Sequence, residues 1–305
     1  MSAEGSKKAI VAAMSANAGI AVLKFIGFLV TGSSSMIAEA VHSLADTANQ
    51  GLLLVGQAQA RRNADGLHPF GYGRSRYFYS FVVALVIFTL GSLFAIYEGI
   101  HKIMHPERME APIVAVLILA GALCLEGYSF ATAIKESRSL KGDASWWGFI
   151  RRSRNPELPV VLLEDSGALI GLVLALLGVG LTWGLDMPVF DGVGTLAIGM
   201  LLGVIAAVLI VEMQSLLIGE GATDEETAAI HAALESAPMV QRVIHCKTQY
   251  LGPDELLVAA KVAIPEASSA REIAEGIDAA EIALRAAVPA ARVVYLEPDL
   301  DRAAT

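Results

Sequence analysis

The chain has 305 residues, 55% hydrophobic and only 17% charged, with a mean hydropathy of +0.57 and a formal net charge of −9. This composition excludes an ordinary water-soluble globule and predicts several membrane spans with one modest soluble domain. The two cysteines, Cys124 and Cys246, exclude a disulfide framework and a thiolate metal cluster.

The N-terminus, MSAEGSKKAI, runs directly into a full-length apolar segment, so the expectation is an uncleaved first helix rather than a signal peptide. Six segments have the length that a hydrocarbon core requires, about 20 apolar residues. They are Ala9–Thr31, Ser34–Gln57, Tyr77–Ile103, Pro112–Ile134, Leu158–Trp183 and Phe190–Ile218. The second segment contains A-E-A-V-H-S-L-A-D-T-A-N-Q, which places His42, Asp46 and Asn49 at intervals of four and three. On a helix these three side chains form one polar stripe. An Asp at membrane depth costs roughly 2.5–3.5 kcal/mol on insertion scales, so something must repay it. A metal ion, a proton relay and a partner helix all remain open at this point.

In the fifth segment the adjacent carboxylates Glu164 and Asp165 lie about a turn and a half into apolar sequence. Successive helix positions differ by about 100°, so one faces the polar interior while the other reaches the membrane edge or pairs elsewhere. Lys24 in the first segment and Glu212 in the sixth are expected to snorkel or to form ion pairs. Glycines such as Gly167, Gly171, Gly192, Gly194, Gly199 and Gly203 read as packing devices.

The connections carry the orientation. Lys7, Lys8, Arg61, Arg62, Arg74, Arg76, Lys135, Arg138, Lys141, Arg151, Arg152 and Arg154 fall on one side, and only Lys102 and Arg108 on the other. The positive-inside bias then predicts an integral membrane protein with both termini cytoplasmic, in the inner or plasma membrane if the chain is bacterial. Trp146 and Trp147 read as an interfacial anchor.

The composition changes at Gly219, giving expected domains of 1–218 (transmembrane) and 219–305 (cytoplasmic). Thr223–Ala237 has an acid-rich helix pattern with Thr223 as its cap; Val240–Tyr250 and Leu256–Ile264 read as a hairpin across Leu-Gly-Pro-Asp. Ser268–Ala287 is a second helix and Ala291–Leu296 a last strand. The predicted fold class is thus an all-α transmembrane domain of six helices plus a C-terminal α+β domain of order αββαβ, with a small antiparallel sheet. Seven basic and fifteen acidic residues from Glu220 onward account for nearly all of the net charge. They argue against a nucleic-acid partner and for self-association or attraction of cations.

Taken together, H-S-L-A-D-T-A-N-Q at His42–Gln50, H-P-F-G-Y-G-R at His68–Arg74, the Glu164–Asp165 pair and S-L-L-I-G-E-G-A at Ser215–Ala222 resemble the cation diffusion facilitator family of divalent-metal/proton exchangers. The pairing of His42 with Glu164–Asp165 resembles its mitochondrial zinc-transporter-like branch, and the αββαβ tail resembles the family's metallochaperone-like domain. The resemblance implies a homodimer in the lipid bilayer that moves Zn²⁺, or Mn²⁺, Fe²⁺, Co²⁺ or Cd²⁺, against protons. It also implies a transport site built on His42, Asp46 and Asp165. A fourth family ligand falls on Val161, which cannot ligate, so Glu164, Asn49 or a water would complete the site. Asp65 with His68, and His245 with Glu297, match parts of secondary metal sites whose other positions are Tyr72 and Tyr295 or apolar. For His68 the preferred reading is that it orders the loop before Pro69.

The expected function is therefore export of a divalent transition metal, Zn²⁺ first, from the cytoplasm in exchange for H⁺. A six-span metal sensor or scaffold, whose acidic domain binds a partner, is the alternative from another class. An enzyme is disfavoured because Ser43 and His42, as helix neighbours, diverge by about 100° and form no nucleophile–base pair.

Overall fold

The computed structural model describes residues 3–143 and 145–301. It divides into two compact units. The first takes the chain up to Gln57 together with Phe78–Met213; the second takes Ala58–Tyr77 together with the chain from Gln214 onward.

The first unit is helical. Its long elements are α1 (Ala3–Thr31), α2 (Ser34–Ala60), the continuous stretch α3 (Ser75–Val82), a π-helical turn (Val83–Phe88) and α4 (Thr89–Met104), then α5 (Pro112–Lys141), α7 (Glu157–Leu185) and α8 (Val189–Ile218). The short α6 (Trp146–Arg152) links α5 to α7, and Ser145 caps it by accepting from the Gly148 amide. These six long stretches match the six expected spans. Among the described residues, Ser75–Met104, Pro159–Leu185 and Val189–Ile218 are long and apolar enough to cross a membrane on their own, while Asn17–Thr31 and Pro112–Tyr128 are shorter apolar stretches. The α2 helix is less apolar because its middle carries the polar stripe.

Helix packing in this unit depends on small residues. A side chain at Gly99 or Gly199 would collide with the backbone of the facing helix, at Leu196 and Ile96 respectively, so α4 and α8 approach closely there. The start of α2 is held by the carboxylate of Asp191 in the first turn of α8. Asp191 accepts from the Ser33 hydroxyl (2.8 Å), the Ser34 amide (2.7 Å) and hydroxyl (3.0 Å), and the Ser35 amide (3.3 Å). Amides that have no partner within the helix are thereby satisfied without water, as burial requires.

The second unit carries α9 (Asp224–Glu235), β1 (Arg242–Gly252), β2 (Glu255–Ile264), α10 (Ala270–Ala287) and β3 (Val293–Leu300). Both helices begin with a full capping box, Thr223 with Glu226 and Ser269 with Glu272. The strand order is β1-β2-β3, with β1 and β2 antiparallel as expected. The pairing of β2 with β3 is parallel, which corrects the expectation of an antiparallel sheet. The reason is the connection: α10 is a crossover that returns the chain to the end from which β2 began. The core of this unit includes Ile230, Leu234, Tyr250, Leu256, Val258, Val262, Leu284 and Val294.

Candidate functional site

The α2 stripe is buried along its whole length. Glu39, His42, Ser43, Asp46 and Asn49 are each no more than 5% exposed. The His42 imidazole lies against the Asp46 carboxylate one turn on, with Nδ1 3.5 Å from Oδ1. One further turn along, the Asn49 side-chain amide donates to Glu164 Oε2, which ties α2 to α7. Asn49 Oδ1 is buried and has no hydrogen-bond partner among the described residues. An amide that spends its donor on a carboxylate leaves its carbonyl oxygen as an available ligand.

Of the two adjacent acids on α7, Glu164 is the one buried in the bundle and Asp165 is half-buried. Asp165 remains within electrostatic reach of Asp46 and Glu164. No group of three or more His, Cys, Asp or Glu side chains among the described residues has the mutual geometry to hold a metal ion. The arrangement is a close pair, His42–Asp46, and a hydrogen-bonded pair, Asn49–Glu164, rather than an assembled coordination shell.

Three neighbouring charges complete the picture. Lys24 of α1 is 1% exposed, although Val22, Leu23, Phe25 and Ile26 around it face outward. Its ammonium donates to Glu39 Oε2 (2.9 Å) and to Ser43 Oγ (2.8 Å). Of the two expectations for Lys24, the ion pair is therefore the one observed. Such a pair is held by compensation, since removing one partner from a buried pair costs about 3–5 kcal/mol. Glu126 of α5 is also buried and lies within electrostatic reach of Lys24, Glu39 and Asp46. The sequence reading missed Glu39 and Glu126. Glu39 precedes His42 by three residues, so helical spacing placed it on the stripe. Glu212 pairs with Arg151 at 3.3 Å.

The outer candidates have other occupations. Asp65 accepts from the amides of Leu67 (3.0 Å) and His68 (2.8 Å) and from the Tyr72 hydroxyl (2.6 Å), and the His68 and Tyr72 rings lie 4.4 Å apart. These hydrogen bonds to its charged form, the Tyr72 hydroxyl first, hold the Asp65 carboxyl down at about 2. The loop is organised by Asp65, with the Arg62 guanidinium over the Tyr72 ring at 4.5 Å. In the sheet, His245 is in register with Lys261, and Lys261 with Glu297. The Lys261 ammonium thus stands on the strand between His245 and Glu297, and it already holds Glu297 (2.9 Å) and Asp299 (3.3 Å).

Residues 10–218 match the cation efflux transmembrane domain. The chain belongs to the cation efflux, or cation diffusion facilitator, family. The matched region of this cation efflux chain contains every member of the buried cluster from Lys24 to Glu164, and Asp165 beside it. The mouse protein named proton-coupled zinc antiporter SLC30A9, mitochondrial, is 36% identical over 262 residues, covering 85% of this chain and 46% of that protein. Metal tolerance protein C4 of Arabidopsis thaliana is 32% identical over 268 residues, covering 84% and 57%. The chain therefore spans about half the length of these curated relatives. Among solved structures, a nickel form of the MamM CTD matches 26% of this chain and 100% of its own, with a TM-score of 0.25 and 16% identity.

Proposed function

We propose that this cation efflux chain is a secondary transporter that carries Zn²⁺ out of the cytoplasm in exchange for protons. The observation that carries the reading is the two side-chain couples in the middle of the bundle, the adjacent His42 and Asp46 and the hydrogen-bonded Asn49 and Glu164, buried where ionisable groups are costly. The name of the mouse relative supports proton-coupled transport of zinc, and that of the plant relative supports a role with metals.

The chemistry follows from the donor set. Imidazole and carboxylate together suit Zn²⁺, and each must be unprotonated to ligate, so metal and protons compete for the same atoms. Loading breaks the Asn49–Glu164 hydrogen bond and turns Glu164 toward the metal beside His42 and Asp46, with Asp165 adding its charge. Discharge on the far side follows when protons take these groups back. Alternating access of the bundle would expose them to one side at a time. The basic connections orient both termini, and the sheet-containing unit, to the cytoplasm. The membrane region spans 1–218 and the tail 219–305, and the functional unit is a homodimer.

Proteoliposomes test the reading. With a proton gradient imposed, wild-type vesicles are expected to show saturable Zn²⁺ flux that collapses when the gradient is dissipated. Asp46→Ala should abolish the flux while the purified protein keeps its helical circular dichroism. Undiminished flux in that variant would remove Asp46 from the site.

A further inference from the structure

The Lys24–Glu39 pair has a geometry that a purely structural bridge does not require. Glu39 is fully buried, and its two oxygens are treated differently. Oε2 is held by the Lys24 ammonium, whereas Oε1 has no hydrogen-bond partner among the described residues. Oε1 is directed at α7, where Gly171 makes room for it: a β-carbon at that position would stand 2.7 Å from the oxygen. Gly171 follows Glu164 by seven residues and so lies on the same face of α7, about 10.5 Å farther along. On α2, Glu39 precedes His42 by three residues, about 4.5 Å along the axis, on the side of His42 away from Asn49. The open carboxylate oxygen is therefore the next anionic donor beyond His42 on the stripe. A buried anionic oxygen left without a donor is costly, which makes the position one that a cation would occupy favourably. The neighbouring ammonium also reaches Asp46 and Glu126 electrostatically.

We propose that Glu39 is a transit ligand for the transported cation beyond His42, and that Lys24 is a tethered cation that holds this carboxylate until the metal displaces it. Lysine suits the role because its ammonium is a compact point charge on a flexible stem, able to withdraw to Ser43 while the metal passes. The pair then works as an ion-exchange gate: the tethered charge prevents the metal from settling on Glu39 and returns as the metal departs. The inference rests on the zinc-transport reading above.

The test uses the full-length purified chain, with Zn²⁺ titration for binding and proteoliposomes for flux. A structural pair predicts that loss of either partner acts in the same direction. The gate predicts opposite directions. K24M removes the competitor, so Zn²⁺ should bind about tenfold tighter while the maximal flux falls. E39Q removes the transit ligand, so binding should weaken and flux should fall. Should K24M alone fail to fold, because it leaves a buried carboxylate uncompensated, the comparison moves to K24M/E39Q against E39Q, in which the buried pair is neutral. Removing Lys24 should leave binding unchanged there, because the carboxylate for which it competes is gone. An unchanged or weakened affinity in K24M, or a tighter affinity in K24M/E39Q than in E39Q, overturns the gate. Absence of Zn²⁺ binding and flux in the wild type would instead overturn the transport reading itself.

Discussion

Glu164 is the residue on which the ligand count turns. The family position that would supply a fourth ligand is Val161 here, and Glu164, three residues on, sits about 60° from that direction on the helix. Of the adjacent acids Glu164 and Asp165, the sequence leaves open which one reaches the membrane edge. The Glu164 side chain is buried, with its Oε2 bonded to the Asn49 amide of α2. A hydrogen bond from a neutral amide is easily exchanged for a metal, because no charge pair has to be separated first. Glu164→Gln removes a negative charge from the shell and should weaken Zn²⁺ binding by at least about tenfold, while Glu164→Asp should weaken it less, through reach alone. Calorimetric titration of both purified variants decides the matter: wild-type affinity in Glu164→Gln would make Asn49 Oδ1 or a water the ligand instead. At this scale the sequence was informative where spacing alone sets direction. His42, Asp46 and Asn49 share a face because the helix repeat demands it. Partner choice was less legible: nothing local says that Asn49 meets Glu164, or that Lys24 meets Glu39, because both contacts depend on how separate helices are packed.

At the level of elements, the spans and caps followed closely from composition and turn chemistry. Thr223 caps α9 because a hydroxyl three residues before Glu226 can close a capping box, and both bonds of the box are present. The β2–β3 pairing departs from expectation for a topological reason, since the αββαβ order alone suggests an antiparallel sheet, whereas the direction of β3 is set by the α10 crossover. The π-helical turn at Val83–Phe88 had no signal in an unbroken apolar run. The loop before α3 reverses the emphasis of its sequence: His68 looked like the organiser, yet Asp65 receives the hydrogen bonds. Because its carboxyl is held at about 2, below the ordinary 3.8, its ordering effect should be complete above pH 4 and lost as the pH falls through about 2. Hydrogen exchange tests this at the amides of Leu67 and His68. Their protection is expected to stay level from neutral pH down to about 4, and to drop several-fold at neutral pH in Asp65→Asn. Equal protection in wild type and variant would return the organising role to His68.

On the scale of the whole molecule, two units of opposite character share one chain: a bundle that buries its few charges inside apolar helices, and an acidic sheet unit with its own core. That core draws on α9, α10 and all three strands. A unit that closes its core internally should fold when cut free. The fragment Gly221–Thr305 is therefore expected to give mixed α/β circular dichroism, and to sediment as a dimer if the proposed homodimer is held through this unit. The sheet favours such pairing because β1 and β3 are its outer strands and Tyr295 of β3 is exposed. Charge works against it, since both copies are acidic. Self-repulsion at long range is screened over about 8 Å at physiological ionic strength and over about 30 Å at 0.01 M. Sedimentation should thus show association strengthening as salt is raised, opposite to the behaviour of a dimer held by complementary charges. A folded monomer at every salt concentration would confine dimer contacts to the helical unit, and a disordered fragment would mean that the core just described needs the rest of the chain.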